Sequence, residues 1–186
     1  IGASLTVIEA KSWQRDSWFD ETSLPWINPS PNMRNLIQAT LYPGIGAIET
    51  TNISVGRGTD TPFEQFGAPW IDATVLADAL NRRRIPGVGF YPVRFTPASS
   101  KYAGQACQGV FMIVTDRAAL RPVRLGVMLH KLYASSFELD AAERLFGSRE
   151  GITRIRAGED PASIAASWSV AEARWRLLRA QYLLYR

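Results

Sequence analysis

The chain has 186 residues, a length that fits one domain, or one domain with a small appendage. Hydrophobic residues make up 46% and charged residues 20%, with a single Cys, which excludes a disordered chain, a collagen-like repeat and a disulfide scaffold. The net charge of +4 is too thinly spread for a nucleic-acid reader, and no apolar run approaches the ~20 residues of a membrane span.

Residues 5–8 (Leu-Thr-Val-Ile) predict a short strand. Ile1-Gly-Ala-Ser4 lacks Met, a basic region and an apolar segment, so it reads as the cut edge of a longer protein rather than a signal peptide. A Trp-rich loop follows over residues 11–31, where Pro25, Asn28, Pro29 and Pro31 prevent regular structure. Residues 1–31 therefore read as a connecting segment and 32–186 as the folded domain. Asn32 is placed to cap a helix over residues 33–41, with Leu36, Ile37 and Leu41 at helical spacing and Pro43-Gly44 as the stop. Residues 45–48 predict another short strand, before the Gly-rich loop at 54–59.

Asp72 is the cap of a helix reaching about Arg83, with Val75, Leu76, Ala79 and Leu80 on its buried face. Residues 88–95 and 108–115 predict two strands paired antiparallel. Pro122 suits the first turn of a helix continuing to about Tyr133, with Leu125, Met128, Leu129 and Leu132 as its core stripe. Short helices over 141–146 and 151–157 come next. A last helix carries Trp168, Ala171, Trp175, Leu178, Tyr182 and Tyr185 at alternating spacings of three and four. It is too short for a coiled coil and is expected to pack on its own domain. Strands in the first half and helices in the second predict an α+β fold: a small, mostly antiparallel sheet with surrounding helices and a long C-terminal helix.

One Cys and one His cannot build a zinc site, and no metal or organic cofactor is implied. Cys107 reads as a buried structural thiol and His130 as a satisfied or surface residue within a helix. The stretch from Glu49 to Phe63 is more informative, because it gathers a carboxylate, an amide, hydroxyls and a guanidinium. Gly56 and Gly58 flank Arg57 and let the backbone turn sharply to present its fork of donors to a ligand carboxylate or phosphate. The alternative is a tight loop in which Arg57 pairs with an internal carboxylate such as Glu49. A P-loop is excluded, since neither Gly-Lys-Ser/Thr nor a following helix is present.

The Trp-rich stretch, with Trp13, Arg15, Asp20, Glu21 and Trp26, suits either a sugar-stacking wall or burial against a core. Glycosidic cleavage needs two acid groups, about 5–5.5 Å apart for retention or roughly 6.5–9.5 Å for inversion. Of the nearby carboxylates, Asp72 is a cap and Glu64 reads as surface. Glu49, between Ile48 and Thr50, is the candidate acid.

The run Phe19-Asp-Glu-Thr-x-Leu-Pro-Trp26, then Pro29-Ser-Pro-Asn-Met33 and Tyr42-Pro-Gly44, resembles the exo-β-N-acetylmuramidases of the NamZ type. The resemblance continues through Glu49-x-Thr-Asn-x-Ser-x-Gly-Arg-Gly-Thr59, Pro62-Phe63-x-x-Phe-Gly-Ala-Pro-Trp70 and Tyr102-x-Gly-x-x-Cys-x-Gly-Val110, and it covers nearly the whole chain. It implies a glycoside hydrolase that frees N-acetylmuramic acid from the non-reducing end of peptidoglycan fragments, at the cell envelope or outside the cell. It further implies that this chain is the C-terminal domain, whose partner is a Rossmann-like N-terminal domain carrying the main acid of an interdomain cleft.

On that reading Arg57 meets the lactyl carboxylate of a muramyl saccharide, with Asn52 and Ser54 on hydroxyl or acetamido groups and Thr59, Trp26 and Trp70 completing recognition. The alternatives are a cell-wall-sugar binding module that does not cleave, or a scaffold domain.

Overall fold

The computed structural model describes residues 2–132 and 138–185, and the chain divides into two compact units. One holds Trp26–Ser167. The other joins the two ends, Ile1–Pro25 and Trp168–Arg186.

The larger unit is built on a three-stranded antiparallel sheet, β1 (Gln65–Ala68), β2 (Val88–Phe95) and β3 (Cys107–Val114), in the order β1-β3-β2. Register pairs Phe66 with Val110 and Phe90 with Met112, which puts four buried apolar side chains on one face. Tyr91 and Ile113, on the opposite face, are exposed. Pro92 is tolerated because β2 is an edge strand.

Asp72 caps α2 (Ala73–Asn81), its carboxylate accepting the Val75 N–H at 3.0 Å. The helix lies over β2 and β3 and buries Leu76 and Leu80. The side chain of Asn81 then donates to the Phe90 carbonyl at 2.7 Å and accepts from the Phe90 N–H at 3.0 Å, fastening the helix to the strand.

Helices α1 (Leu36–Ile45) and α3 (Pro122–Leu132) cross where Gly44 faces Gly126. A Cβ on Gly44 would run into the Pro122 carbonyl, and one on Gly126 would sit 2.7 Å from the Gly44 carbonyl. Only glycine permits that approach. Helices α5 (Arg149–Arg156) and α6 (Pro161–Ser167) pack on α3, and α4 (Leu139–Phe146) packs on α5 and on residues 46–48; Leu139, Ile152, Ile155 and Ile164 are buried, as are Leu125 and Leu129 of α3. Each such side chain contributes about 1.5–3 kcal/mol of burial. The fold is α+β, as the sequence predicts.

Local departures from the sequence reading have physical reasons. The first helix begins at Leu36, not Met33, because residues 30–33 close a turn (Met33 N–H to Ser30 carbonyl, 2.9 Å) and Asn35 is the residue whose side chain reaches the Gln38 N–H, at 2.8 Å. Pro43 does not stop this helix; it sits in the last turn, and the chain runs on into a 3₁₀ turn at Gly46–Ile48. The strand expected at 45–48 is therefore helical. Ile45 and Ile48, three apart and fully buried, share one helical face, whereas a strand would put them on opposite sides.

Strand β1 is missing from the sequence reading because Gly67 interrupts its pattern; that glycine pairs with Gly109, where the two backbones come close. Tyr133 and the side chains of His130 and Leu132 lie outside the described residues.

The smaller unit contains a 3₁₀ turn at Phe19–Glu21 and α7 (Ser169–Ala180), the longest helix described. Residues 5–8 are not a strand: the segment is irregular and exposed. Helix α7 does not bury a face as expected, since none of its residues is buried. The unit is tied by Tyr185, whose ring meets Trp13 edge-on at 4.8 Å and whose carbonyl accepts from the Arg15 Nε at 3.4 Å.

Candidate functional site

The loop after the Gly46–Ile48 turn carries five of the residues singled out in the sequence: Glu49, Asn52, Ser54, Arg57 and Thr59. It leaves a 3₁₀ turn rather than a strand end. Ser54 anchors it to β1 by a reciprocal pair of backbone hydrogen bonds with Gly67, both 2.9 Å. Gly56 and Gly58 take φ of 79° and 82°, the left-handed turns that Arg57 needs on either side. The Ser54 hydroxyl accepts from the Gly56 N–H at 3.3 Å. That of Thr59 donates to the Gly56 carbonyl at 2.7 Å and accepts from the Gln65 amide at 2.9 Å. Both hydroxyls thus hold the loop's shape.

Arg57 is held from two sides. Its Nε and one terminal nitrogen form a side-on ion pair with Glu49, with Nη2 donating to Oε2 at 3.3 Å. Its guanidinium carbon also lies 5.1 Å from the centre of the Phe63 ring, a cation–π contact. Phe63 is buried, has a φ of 63°, and meets Tyr42 edge-on at 4.9 Å. The internal pairing that the sequence allows for Arg57 is therefore present. The pair engages Nε and Nη2 and leaves the Nη1 edge outside it; the Arg57 side chain keeps 29% of its surface exposed.

A second loop, residues 96–106, docks on the first. Ala98 donates its N–H to the Gly58 carbonyl at 2.8 Å, Lys101 Nζ donates to the Glu49 carbonyl at 3.4 Å, and the Tyr102 hydroxyl donates to the Asn52 carbonyl at 2.8 Å. The Asn52 side-chain oxygen accepts the Glu138 N–H at 3.3 Å. Burial pushes the Lys101 ammonium below the usual lysine pKa, against the opposing pull of the Glu138 and Glu49 carboxylates. Three of the five non-glycine residues described with positive φ, Phe63, Ser100 and Tyr102, lie in these two loops. Backbone held in that region costs on the order of 1–3 kcal/mol per residue, and surrounding contacts must hold it there.

Lys101 and Glu138 have no place in the sequence reading, because their approach to the Glu49–Asn52 stretch is made by tertiary contacts 50 to 90 residues apart in the chain. Tyr102 and Phe63 stand inside motifs singled out there, without a role.

Trp26 opens the larger unit and is half-buried, while Trp70 follows β1 and is 45% exposed. Glu64, expected at the surface, is instead buried at 7% exposure. Its Oε1 accepts from Gln38 Nε2 at 2.8 Å and Asn35 Nδ2 at 3.0 Å, locking the start of α1 to the segment entering β1. In the other unit Glu21 accepts the Trp18 N–H at 2.9 Å, so its carboxylate is spent on a 3₁₀ turn. Among the described residues no cluster of His, Cys, Asp and Glu suits a metal ion, and no helix is long and apolar enough to cross a membrane.

Comparison with known proteins gives concordant matches. Residues 40–185 match the family model described as exo-β-N-acetylmuramidase NamZ, C-terminal, and residues 1–37 match its N-terminal counterpart. The chain is 40% identical over 192 residues to the peptidoglycan β-N-acetylmuramidase NamZ of Bacillus subtilis, covering all of this chain and 46% of that protein. Two DUF1343 family proteins of Bacteroides fragilis share the fold, with TM-scores of 0.69 and 0.65 at 26% and 25% identity. The matches cover 94% and 95% of this chain, and 49% and 47% of those chains. The chain thus spans about half the length of the relatives it matches.

Proposed function

This chain belongs to the exo-β-N-acetylmuramidase NamZ family, and from that premise we propose that it is the C-terminal domain of a peptidoglycan glycosidase. The activity is release of N-acetylmuramic acid from the non-reducing end of peptidoglycan fragments. An N-terminal domain of the same family supplies the main acid, and this domain supplies recognition at a cleft between the two.

The observation that supports this reading most is the held guanidinium of Arg57. Muramic acid differs from other amino sugars of the wall by its lactyl ether, which carries a carboxylate. A guanidinium fixed by a carboxylate on one edge and an aromatic face beside it is pre-organised to offer its remaining edge to such an anion. Glu49, with its oxygens directed at Arg57, acts as the residue that orients it. Lys101 adds a second cation beside the same loop. Asn52 and the two tryptophans, Trp26 and Trp70, take hydroxyl, acetamido and ring-face contacts, while Ser54 and Thr59 act by shaping the loop.

Calorimetric titration with MurNAc-GlcNAc, run beside an assay for free MurNAc, tests the proposal. Binding without release by this chain, with release by the two-domain protein, is the expected result. Release by this chain alone would contradict it and make Glu49 the leading acid. Absence of binding by both proteins would contradict it as well.

A further inference from the structure

The two ends of the chain form a unit with no core of its own. Every buried hydrophobic side chain described belongs to residues 26–167, and none to the unit of residues 1–25 and 168–186. Yet this smaller unit, under a quarter of the chain, carries eleven of the twenty large hydrophobic side chains described as exposed. Scattered exposed apolar residues are ordinary; this concentration is not.

Two elements carry it. Residues 4–8, Ser-Leu-Thr-Val-Ile, have strand-forming composition, yet Leu5 is 81% and Ile8 92% exposed. No backbone N–H of residues 4–8 donates in any hydrogen bond described. A segment with free backbone donors and β-branched side chains is suited to pairing with a sheet edge. Helix α7 exposes Val170 and Leu177, one stripe at a spacing of seven and each 80% accessible, and Trp175 and Leu178 on a neighbouring stripe, with Tyr182 exposed just past its end. A 12-residue helix with no buried face is marginal in water, so its stability must come from packing against something else.

We propose that the N-terminal domain of the same family is the occupant of this surface. Residues 4–8 add to an edge of its sheet, and α7 lies against the same domain with its Val170–Leu177 stripe. The chain after Ser167 thereby returns to the N-terminal domain, although it matches the C-terminal family model. Two observations favour this occupant over a second copy of the chain. The N-terminal family model matches residues 1–37, so the 4–8 segment is itself part of that domain's sequence. The relatives also contain about as much chain again as is matched here. The inference rests on the proposed N-terminal partner and deepens it, by naming where that partner binds.

Amide hydrogen exchange tests it, comparing this 186-residue chain with the two-domain polypeptide in which a NamZ-type N-terminal domain precedes it. Amides of 5–8 and 170–178 are expected to exchange fast in the shorter chain and about 100-fold slower or more in the longer one. Paired substitutions Val170→Asp and Leu177→Asp in the two-domain protein should restore fast exchange at 5–8 while β3 amides stay protected. Fast exchange at both segments in the two-domain protein would overturn the proposal. So would slow exchange in the shorter chain accompanied by dimerisation in sedimentation, or protection at 5–8 indifferent to the paired substitutions. MurNAc release by the same two-domain protein separates this from the functional reading. Protection without release refutes the function and keeps the interface; release without protection does the reverse.

Discussion

Residues 26–167 and the two chain ends obey different rules. In the larger unit, apolar residues at helical and strand spacing bury together: Phe66, Phe90, Val110 and Met112 on the sheet, Leu125 and Leu129 on α3. The sequence of α7 and the turn after it has comparable spacing, with Trp175 and Leu178 on the helix and Tyr182 just past it, and all three side chains are exposed. Periodicity therefore says that a face wants cover; it does not say whether the cover lies in the same chain. On the interface proposed above, the ends are completed by another domain, whereas the middle buries its own apolar face.

The sharpest way to break that comparison is a matched pair of truncations. Leu125→Ala, at a fully buried site on α3, should cost about 2–5 kcal/mol in denaturant unfolding. Leu177→Ala on α7 should stay within about 0.5 kcal/mol in this chain. Equal losses would mean that α7 is packed after all. Next in size is Gly44→Ala. Its new methyl group meets backbone at the α1–α3 crossing, and overpacking of about 1–3 kcal/mol is expected, read as a lowered denaturant midpoint without a change of slope.

Smaller effects belong to the titrating groups. Lys101 has its pKa lowered by burial, so between its folded pKa and the ordinary 10.5 the unfolded chain binds more protons than the folded one. Stability contributed by this group accordingly rises with pH across that window. Wild type should gain on Lys101→Gln as pH climbs from neutral into it, and a constant difference would remove burial as the cause. Cys107, fully buried on β3, has its thiol pKa raised by burial. Alkylation of the native chain near pH 8 should be slow and should become fast on unfolding; rapid native labelling would place the thiol elsewhere.

Much of this architecture is legible in the sequence where local chemistry and tertiary packing agree. Asp72 caps its helix, residues 88–95 and the strand beginning at Cys107 pair antiparallel, and Pro122 opens α3. Reading fails where the third dimension decides. Pro43 is absorbed into a last helical turn, Gly67 finds Gly109 across the sheet, and Glu64 is drawn inside by the amides of Gln38 on α1 and of its cap Asn35. The Glu49–Arg57 pair is eight residues apart and its two possibilities can be posed from sequence. The approach of Lys101 and Tyr102 to the same loop cannot, because it depends on how residues 96–106 dock.

Steady-state kinetics of Arg57→Ala in the two-domain protein, on MurNAc-GlcNAc, test the central claim most directly. Loss of a charged hydrogen bond to the lactyl carboxylate should lower kcat/KM by the equivalent of about 1.5–3 kcal/mol, and Arg57→Lys should recover little of it if recognition uses the planar edge. Unchanged kcat/KM, with the variant folded, would contradict the assignment and leave Arg57 as a structural partner of Glu49.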